Sequence, residues 1–212
     1  MTLADQFFEL FKGLDRAHGA FKVTDTSKVK HGGRAQTMKE PYTVRLWEDH
    51  LEGKQGLGVV PINDNNSCFF GAIDIDEYNL DHAKLVKKLN EIDVKLFPCR
   101  SKSGGMHVYL FTREEVPAAA MRAKLQMIAV ELGFGGSEIF PKQSQILSSR
   151  GDVGSWINMP YFNKEDTNRY AFGQDCSQLP SQRFIEVALR ERYERAEFQA
   201  ISLERDGDVG DG

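Results

Sequence analysis

The chain is 212 residues long, 41% hydrophobic and 27% charged, with a formal net charge of −4. That length suits one large domain, and the composition is that of an ordinary globular protein. It excludes a bilayer span, because the longest nearly apolar run, Cys68 to Ile75, is broken by Asp74. It also argues against a protein that coats nucleic acid, although four acids and one Arg between Glu204 and Asp211 hold most of the charge and leave the rest close to neutral.

The N-terminus carries Asp5 and Glu9 among its apolar residues, unlike a secretory signal. Cys68, Cys99 and Cys176 form no CxxC pair, which points to a reducing cytosol and away from a disulfide framework or a zinc knuckle.

In chain order, Ala4 to Leu14 places Phe7, Phe8, Phe11 and Leu14 at helical spacing. Thr24 to Glu40 is polar, with Lys28, Lys30, His31, Arg34 and a Gly32-Gly33 pair, and reads as a basic loop suited to a nucleic-acid backbone, or simply as solvated charge. Tyr42 to Trp47 alternates like a strand, and Gly56 to Ile62 is a second short apolar run.

From Cys68 onward the pattern is sharper. Strands are expected at Cys68–Asp76, Lys95–Ser101, Met106–Thr112 and Glu138–Pro141, and helices at Leu80–Ile92 and Pro117–Leu132. The order β-α-β-β-α-β is the split βαβ arrangement of ferredoxin-like and RRM-like sheets, an α+β fold. A strand at Ser155–Phe162 and a helix at Arg183–Tyr193 follow. The expected organisation is one domain over 1–203, with an N-terminal α/β extension (1–55), a core (56–165), a C-terminal helical part (166–203) and a disordered acidic tail (204–212).

In that arrangement the first strand lies between the third and fourth and runs antiparallel to both. Asp74 and Asp76 close the first strand, His107 opens the third and Glu138 opens the fourth, so all four fall on one rim. By alternation, Phe69, Ile73, Ile75, Met106, Val108, Leu110 and Ile139 face the helices. Asp74, Asp76, His107, Tyr109, Glu138, Phe140 and Lys142 face the other way. Taken singly, the acids are ordinary strand-end groups and His107 an ordinary sheet histidine. Together they demand a cation or a proton, because two carboxylates about 4 Å apart repel by roughly 4 kcal/mol at an effective dielectric near 20. Oxygen donors suit Mg²⁺ or Mn²⁺, two of which can activate a hydroxyl and hold a triphosphate.

At the same edge, Arg100-Ser101-Lys102-Ser103-Gly104-Gly105 forms a Gly-rich turn able to bind phosphate oxygens through backbone N–H groups. Lys142 is placed to contact a phosphate, and Asn158 lies in a strand expected near the site.

The strings GAIDID, RSKSGGMHVYLF, EIFPKQ and WINMPYF resemble the motifs of archaeo-eukaryotic primases, in particular the primase domain of TOTE conflict systems and related phage and plasmid replication proteins, over about Trp47 to Phe162. The resemblance implies a DNA primase or primase-polymerase that adds NTPs or dNTPs on a single-stranded DNA template. Asp74, Asp76 and Glu138 would be the carboxylates that hold two Mg²⁺ or Mn²⁺ ions, and His107 would contact the phosphates of the incoming nucleotide, with Ser103 beside it. The family pattern is often a shorter Ser-x-His; here two extra residues separate the pair. The zinc-binding module of many members is missing. A fused or associated helicase is common in the family, and the implied setting is the cytoplasm of a prokaryotic cell or phage-infected host. Two other classes stay open on the residues alone. One is a metal-dependent phosphodiesterase or nuclease. The other is a non-catalytic RRM-like binding module, with Phe70, Tyr109 and Phe140 as stacking rings.

Overall fold

A computed structural model describes residues 1–23 and 33–203. Lys28 and Lys30, and the tail expected to be disordered, lie outside the described residues. Helix α1 (Leu3–Leu10) starts at a capping box in which Thr2 and Asp5 satisfy each other's backbone N–H groups. Strands β1 (His18–Val23) and β2 (Gly33–Met38) pair antiparallel, α2 is Val44–Leu51 and β3 is Gly56–Val59.

The split βαβ segment follows as β4 (Ser67–Ile75), α3 (His82–Glu91), β5 (Phe97–Arg100), β6 (Met106–Pro117), α4 (Ala118–Leu132) and β7 (Glu138–Phe140). Asp81 caps α3 through the Lys84 N–H, and Gly133, in the left-handed region, ends α4. The two-residue β8 (Ile157–Asn158), α5 (Ser181–Arg190) and α6 (Arg195–Ala200) complete the chain.

The strands form two sheets, β5-β6-β4-β7 and β2-β1-β3-β8. The first has the strand order expected of the split βαβ arrangement, with every pair antiparallel. The α+β fold class read from the sequence stands.

The two faces of the first sheet are buried by different things. Ile73, Ile75, Met106, Val108, Leu110 and Ile139 pack with α3 and α4 through Leu85, Leu89, Met121, Leu125 and Ile128. Phe70, Ala72, Tyr109, Phe111 and Phe140 on the other face pack with Phe7, Phe11, Trp47 and Phe184. Phe11 stands edge-on to Phe70, Tyr109 and Phe111, each at 5.2 Å between ring centroids. This face is therefore core everywhere except at its rim, and Phe70, Tyr109 and Phe140 are 0%, 0% and 4% exposed.

Several local expectations are corrected. Tyr42–Trp47 is not a strand: Val44–Leu51 is helical because Trp47, His50 and Leu51 bury one helix face. The polar segment that reads as a loop to Glu40 contains β2, so Arg34 sits exposed on a strand. Its partner β1 is built on small residues, with the Trp156 indole lying across Gly19 and Gly58, where any Cβ would collide with the ring. The strand expected at Ser155–Phe162 is only Ile157–Asn158. Phe69 does not face the helices: the register shifts between Cys68 and Phe70, and its ring lies 5.2 Å from Lys12 Nζ. The three cysteines are free, with Cys68 and Cys99 buried. Among the described residues no helix is long and apolar enough to cross a membrane.

His50 ties three segments together. Its Nδ1 accepts the Leu57 N–H at 3.0 Å, and its Nε2 donates to the Pro160 carbonyl at 2.8 Å, which fixes the neutral ring. Burial pushes its pKa down to about 3; the hydrogen bond to the Pro160 carbonyl opposes the shift, and the positive charge of Arg169 adds a smaller push downward. The unfolded value is near 6.5, so this contribution to stability is whole above about pH 6.5 and is lost as pH falls toward 3. The expected NMR result is a His50 imidazole that does not titrate between about pH 8 and pH 5; a midpoint near 6.5 would contradict this burial.

Candidate active site

The rim of the first sheet is a single cross-strand row. Asp74 of β4 is the pairing partner of His107 on β6 and of Glu138 on β7, and His107 is in turn opposite Cys99 on β5. Residues directly opposite in antiparallel strands project to the same face with Cβ atoms about 4.5–5.5 Å apart. The row therefore sets an imidazole and two carboxylates side by side, with Asp76 next along β4.

Each acid has its own partner. His107 Nε2 lies 3.3 Å from Asp74 Oδ1. Ser103 Oγ donates to Asp76 Oδ1 at 3.0 Å, and Lys142 Nζ meets Glu138 Oε2 at 2.9 Å. Among the described residues no three His, Cys, Asp or Glu side chains stand close enough together to hold an ion as oriented. The donor set still fits a hard divalent cation: three carboxylates on adjacent strand ends, two of them directly opposite, and no thiolate. Asp74, Asp76, Glu77, Ser137 and Glu138 line an open cleft of about 550 Å³ together with Gly133, Phe134 and Gly136. Arg122 of α4 fixes the β7 wall by donating to the Pro141 carbonyl at 2.6 Å.

The Gly-rich turn sits where the sequence places it, against the end of β4. Ser101 N–H donates to the Gly105 carbonyl, Gly104 N–H to the Ser101 carbonyl, and His82 of α3 braces the Gly104 carbonyl at 2.8 Å. Gly105 is required by close approach, since a Cβ there would fall inside contact distance of the Ile75 carbonyl oxygen. Arg100 and Lys102 are already engaged: Arg100 Nη1 donates to the Asn168 carbonyl at 3.1 Å, and Lys102 Nζ stands 3.1 Å above the Phe21 ring. Asn158 borders a crevice too narrow for a water molecule, together with Ser101, Lys102 and His107, so it comes near the row. Among the described residues, no hydrogen bond or ion pair ties Arg34 to the rim.

The family model of the archaeo-eukaryotic primase domain of TOTE conflict systems matches residues 20–187. The chain belongs to this family. The matched span takes in the whole row, the Gly-rich turn and all of the two sheets except His18 and Gly19 of β1. A solved structure similar to this primase domain is the archaeo-eukaryotic primase domain of the cyanophage S-2L primase-polymerase, at 14% identity and a TM-score of 0.46, covering 88% of this chain and 96% of that one. The family assignment rests on the first match. A search of curated proteins found no match.

Sequence reasoning left two residues beside this row out of the candidate site. Tyr109 reads from the sequence as an outward-facing ring and, in the binding-module alternative, as a stacking ring; its hydroxyl lies 3.3 Å from His107 Nδ1 and donates to the Asn158 carbonyl at 3.4 Å, so with Asp74 at Nε2 the imidazole is held from both sides. Arg169 is 8% exposed, lines the same crevice as His107 and Asn158, and its Nη1 has no hydrogen-bond partner among the described residues. The period-2 pattern that puts Tyr109 beside His107 was a usable signal for the first. A lone Arg in a polar stretch gave none for the second.

Gly105→Ala is expected to cost about 1–3 kcal/mol of stability, the usual penalty for forced overpacking. Urea unfolding would measure it; an unchanged midpoint would mean that the turn does not rest on β4.

Proposed function

We propose that this primase domain is a template-directed nucleotidyltransferase that joins NTPs or dNTPs on a single-stranded DNA template. The observation that carries the reading is the register of β4, which puts Asp74 directly between His107 and Glu138, with Asp76 and the Gly-rich turn beside them.

Mg²⁺ or Mn²⁺ held by Asp74, Asp76 and Glu138 would neutralise the triphosphate and make the attacking hydroxyl more acidic. The remaining steps fall to the chain's own groups. The hydroxyl attacks the α-phosphate and pyrophosphate leaves. His107 stands between Asp74 and Tyr109; once Asp74 turns to a cation, its Nε2 is released and, with the ring still held at Nδ1, can donate to a phosphate oxygen. Lys142 now neutralises Glu138; once Glu138 turns to a cation, the ammonium is free for a phosphate. Ser103 to Gly105 bring small side chains and backbone close to the same oxygens, and Asn158, Arg100 and Lys102 border them.

The structure weakens the binding-module alternative, because the rings that would stack bases are enclosed in the core. A hydrolytic role for the same carboxylates is separated by assay. With single-stranded template, labelled nucleotides and Mg²⁺ or Mn²⁺, product is expected from the wild type, with a loss of at least about 10³-fold in Asp74→Ala/Asp76→Ala. Full product from the double variant would remove the proposal, and cleavage of DNA without nucleotides would replace it with a nuclease.

A further inference from the structure

Away from the carboxylate row, an open groove of about 910 Å³ is walled by α3 and α5, and none of the row's residues lines it. Its α5 wall is one helix stripe, Arg183, Val187 and Arg190, at positions i, i+4 and i+7. The chain entering β5 adds Leu96, Phe97 and Pro98, which are half-buried, as are Ile92, Leu179 and Val187. Partly exposed apolar side chains gathered in one groove, with charges around them, mark a place of contact with another molecule.

The backbone narrows what that molecule is. β5 is an edge strand of the first sheet. On its outer side the Pro98 carbonyl accepts the Phe172 N–H at 2.9 Å, and the Arg100 N–H donates to the Tyr170 carbonyl at 2.8 Å. The same period of two brings the N–H and carbonyl of Leu96 to that edge, and neither has a backbone partner among the described residues. The covering segment stops short of Leu96 because Gly173 turns back, its N–H donating to the Ser177 carbonyl at 2.8 Å. An open strand edge beside an apolar lining suits an extended peptide, which can pair through its own backbone.

Charge narrows it further. Lys95, Arg183 and Arg190 line the groove against Asp175 and Glu191, in a chain whose net charge is −4. Both acids are engaged: Glu191 pairs with Arg190 at 3.0 Å, and Asp175 accepts from the N–H and hydroxyl of Ser177 at 3.1 and 2.6 Å. Arg183 and Lys95 enter no ion pair among the described residues, and Lys95 Nζ rests 4.8 Å from the centre of the Tyr193 ring. Two uncommitted cations beside an apolar groove select a negatively charged occupant. A nucleic-acid strand would also need rings free to stack on bases. Here Phe97 packs on Phe111 and Phe184, and Phe172 is 7% exposed and stacked on His82.

We infer that this groove docks an extended acidic segment of a partner protein. An apolar side chain of the segment sits against Val187 and Leu96, its carboxylates meet Arg183 and Lys95, and its backbone pairs with the Leu96 edge. The inference is independent of the chemistry at the carboxylate row.

The test is fluorescence anisotropy of the full chain with a fluorescein-labelled peptide, Gly-Asp-Asp-Leu-Phe-Asp-Asp-Gly, and with a labelled oligothymidylate. The double variant Lys95→Glu/Arg183→Glu, which changes two exposed side chains, is expected to bind the peptide roughly 10- to 100-fold more weakly, with an unchanged melting temperature. It should instead bind the peptide in which each Asp is replaced by Lys, a rescue that a merely misfolded variant would not give. Replacing Leu-Phe in the peptide by Ser-Ser should weaken binding to the wild type at least about tenfold. No binding by the wild type up to about 1 mM peptide, or equal binding by the wild type and the double variant, would overturn the inference. Loss without rescue would do the same. If oligothymidylate displaces the peptide and is itself lost from the double variant, the groove is a nucleic-acid track and the inference falls.

Discussion

The pairing register of β4 is the constraint on which the site depends. Asp74 is opposite His107 on one side and Glu138 on the other, so three groups separated by dozens of residues in the chain become immediate neighbours. A slip of one residue in either ladder would turn one of them into the helix-packed core. The register is held by features that tolerate little change. Gly71 lets α4 lie directly on β4, because a Cβ there would meet Leu125 and Met121 at 2.6 Å. The alternation of Ile73 and Ile75 against Asp74 leaves no second way to bury the strand.

The second face of the same sheet shows how a polar rim can be carried on a well-buried strand. Phe70, Tyr109, Phe111 and Phe140 are enclosed by Phe7, Phe11 and Trp47, and Trp47 and Tyr42 close the cluster through hydrogen bonds that end on the Phe11 carbonyl. Polar groups of the site begin where this aromatic packing stops. His107 is the hinge between the two regimes: it is 8% exposed, with Tyr109 behind it and Asp74 in front. A ring so confined keeps one orientation, which is what a positioned donor needs.

Much of the split βαβ segment was legible in the sequence because its signals are local and agree with each other. The apolar-Asp alternation of Ile73 to Asp76, the glycine pair before His107 and the helical spacing of Leu85, Leu89 and Ile92 each choose one element, and antiparallel order then places their ends. The errors arose where two periods fit or where packing overrides propensity. Tyr42 to Trp47 alternates well enough for a strand, but burial of Trp47, His50 and Leu51 on one side makes it a helix. β1 begins His18-Gly19-Ala20, poor strand formers taken alone; the strand exists because Gly19 and Gly58 together seat Trp156, a contact across more than a hundred residues. The enclosure of Tyr109 and Phe140 depends on another long-range contact, the packing of Phe7, Phe11 and Trp47 with them, and so did not show in a face assignment based on alternation. Arg169 was beyond reach for a related reason: its surroundings come from four separate segments.

The central claim is that the acids of this row share divalent cations. In this structure they are divided among His107, Ser103 and Lys142, so occupancy must draw Glu138 away from Lys142. The most direct measurement is a crystal structure of the protein soaked in Mn²⁺, with data collected for the anomalous signal of the metal. The account predicts a peak ligated by Asp74 and at least one of Asp76 and Glu138, with the Glu138–Lys142 pair broken. No peak at the rim under saturating Mn²⁺, with Glu138 still on Lys142, would contradict it.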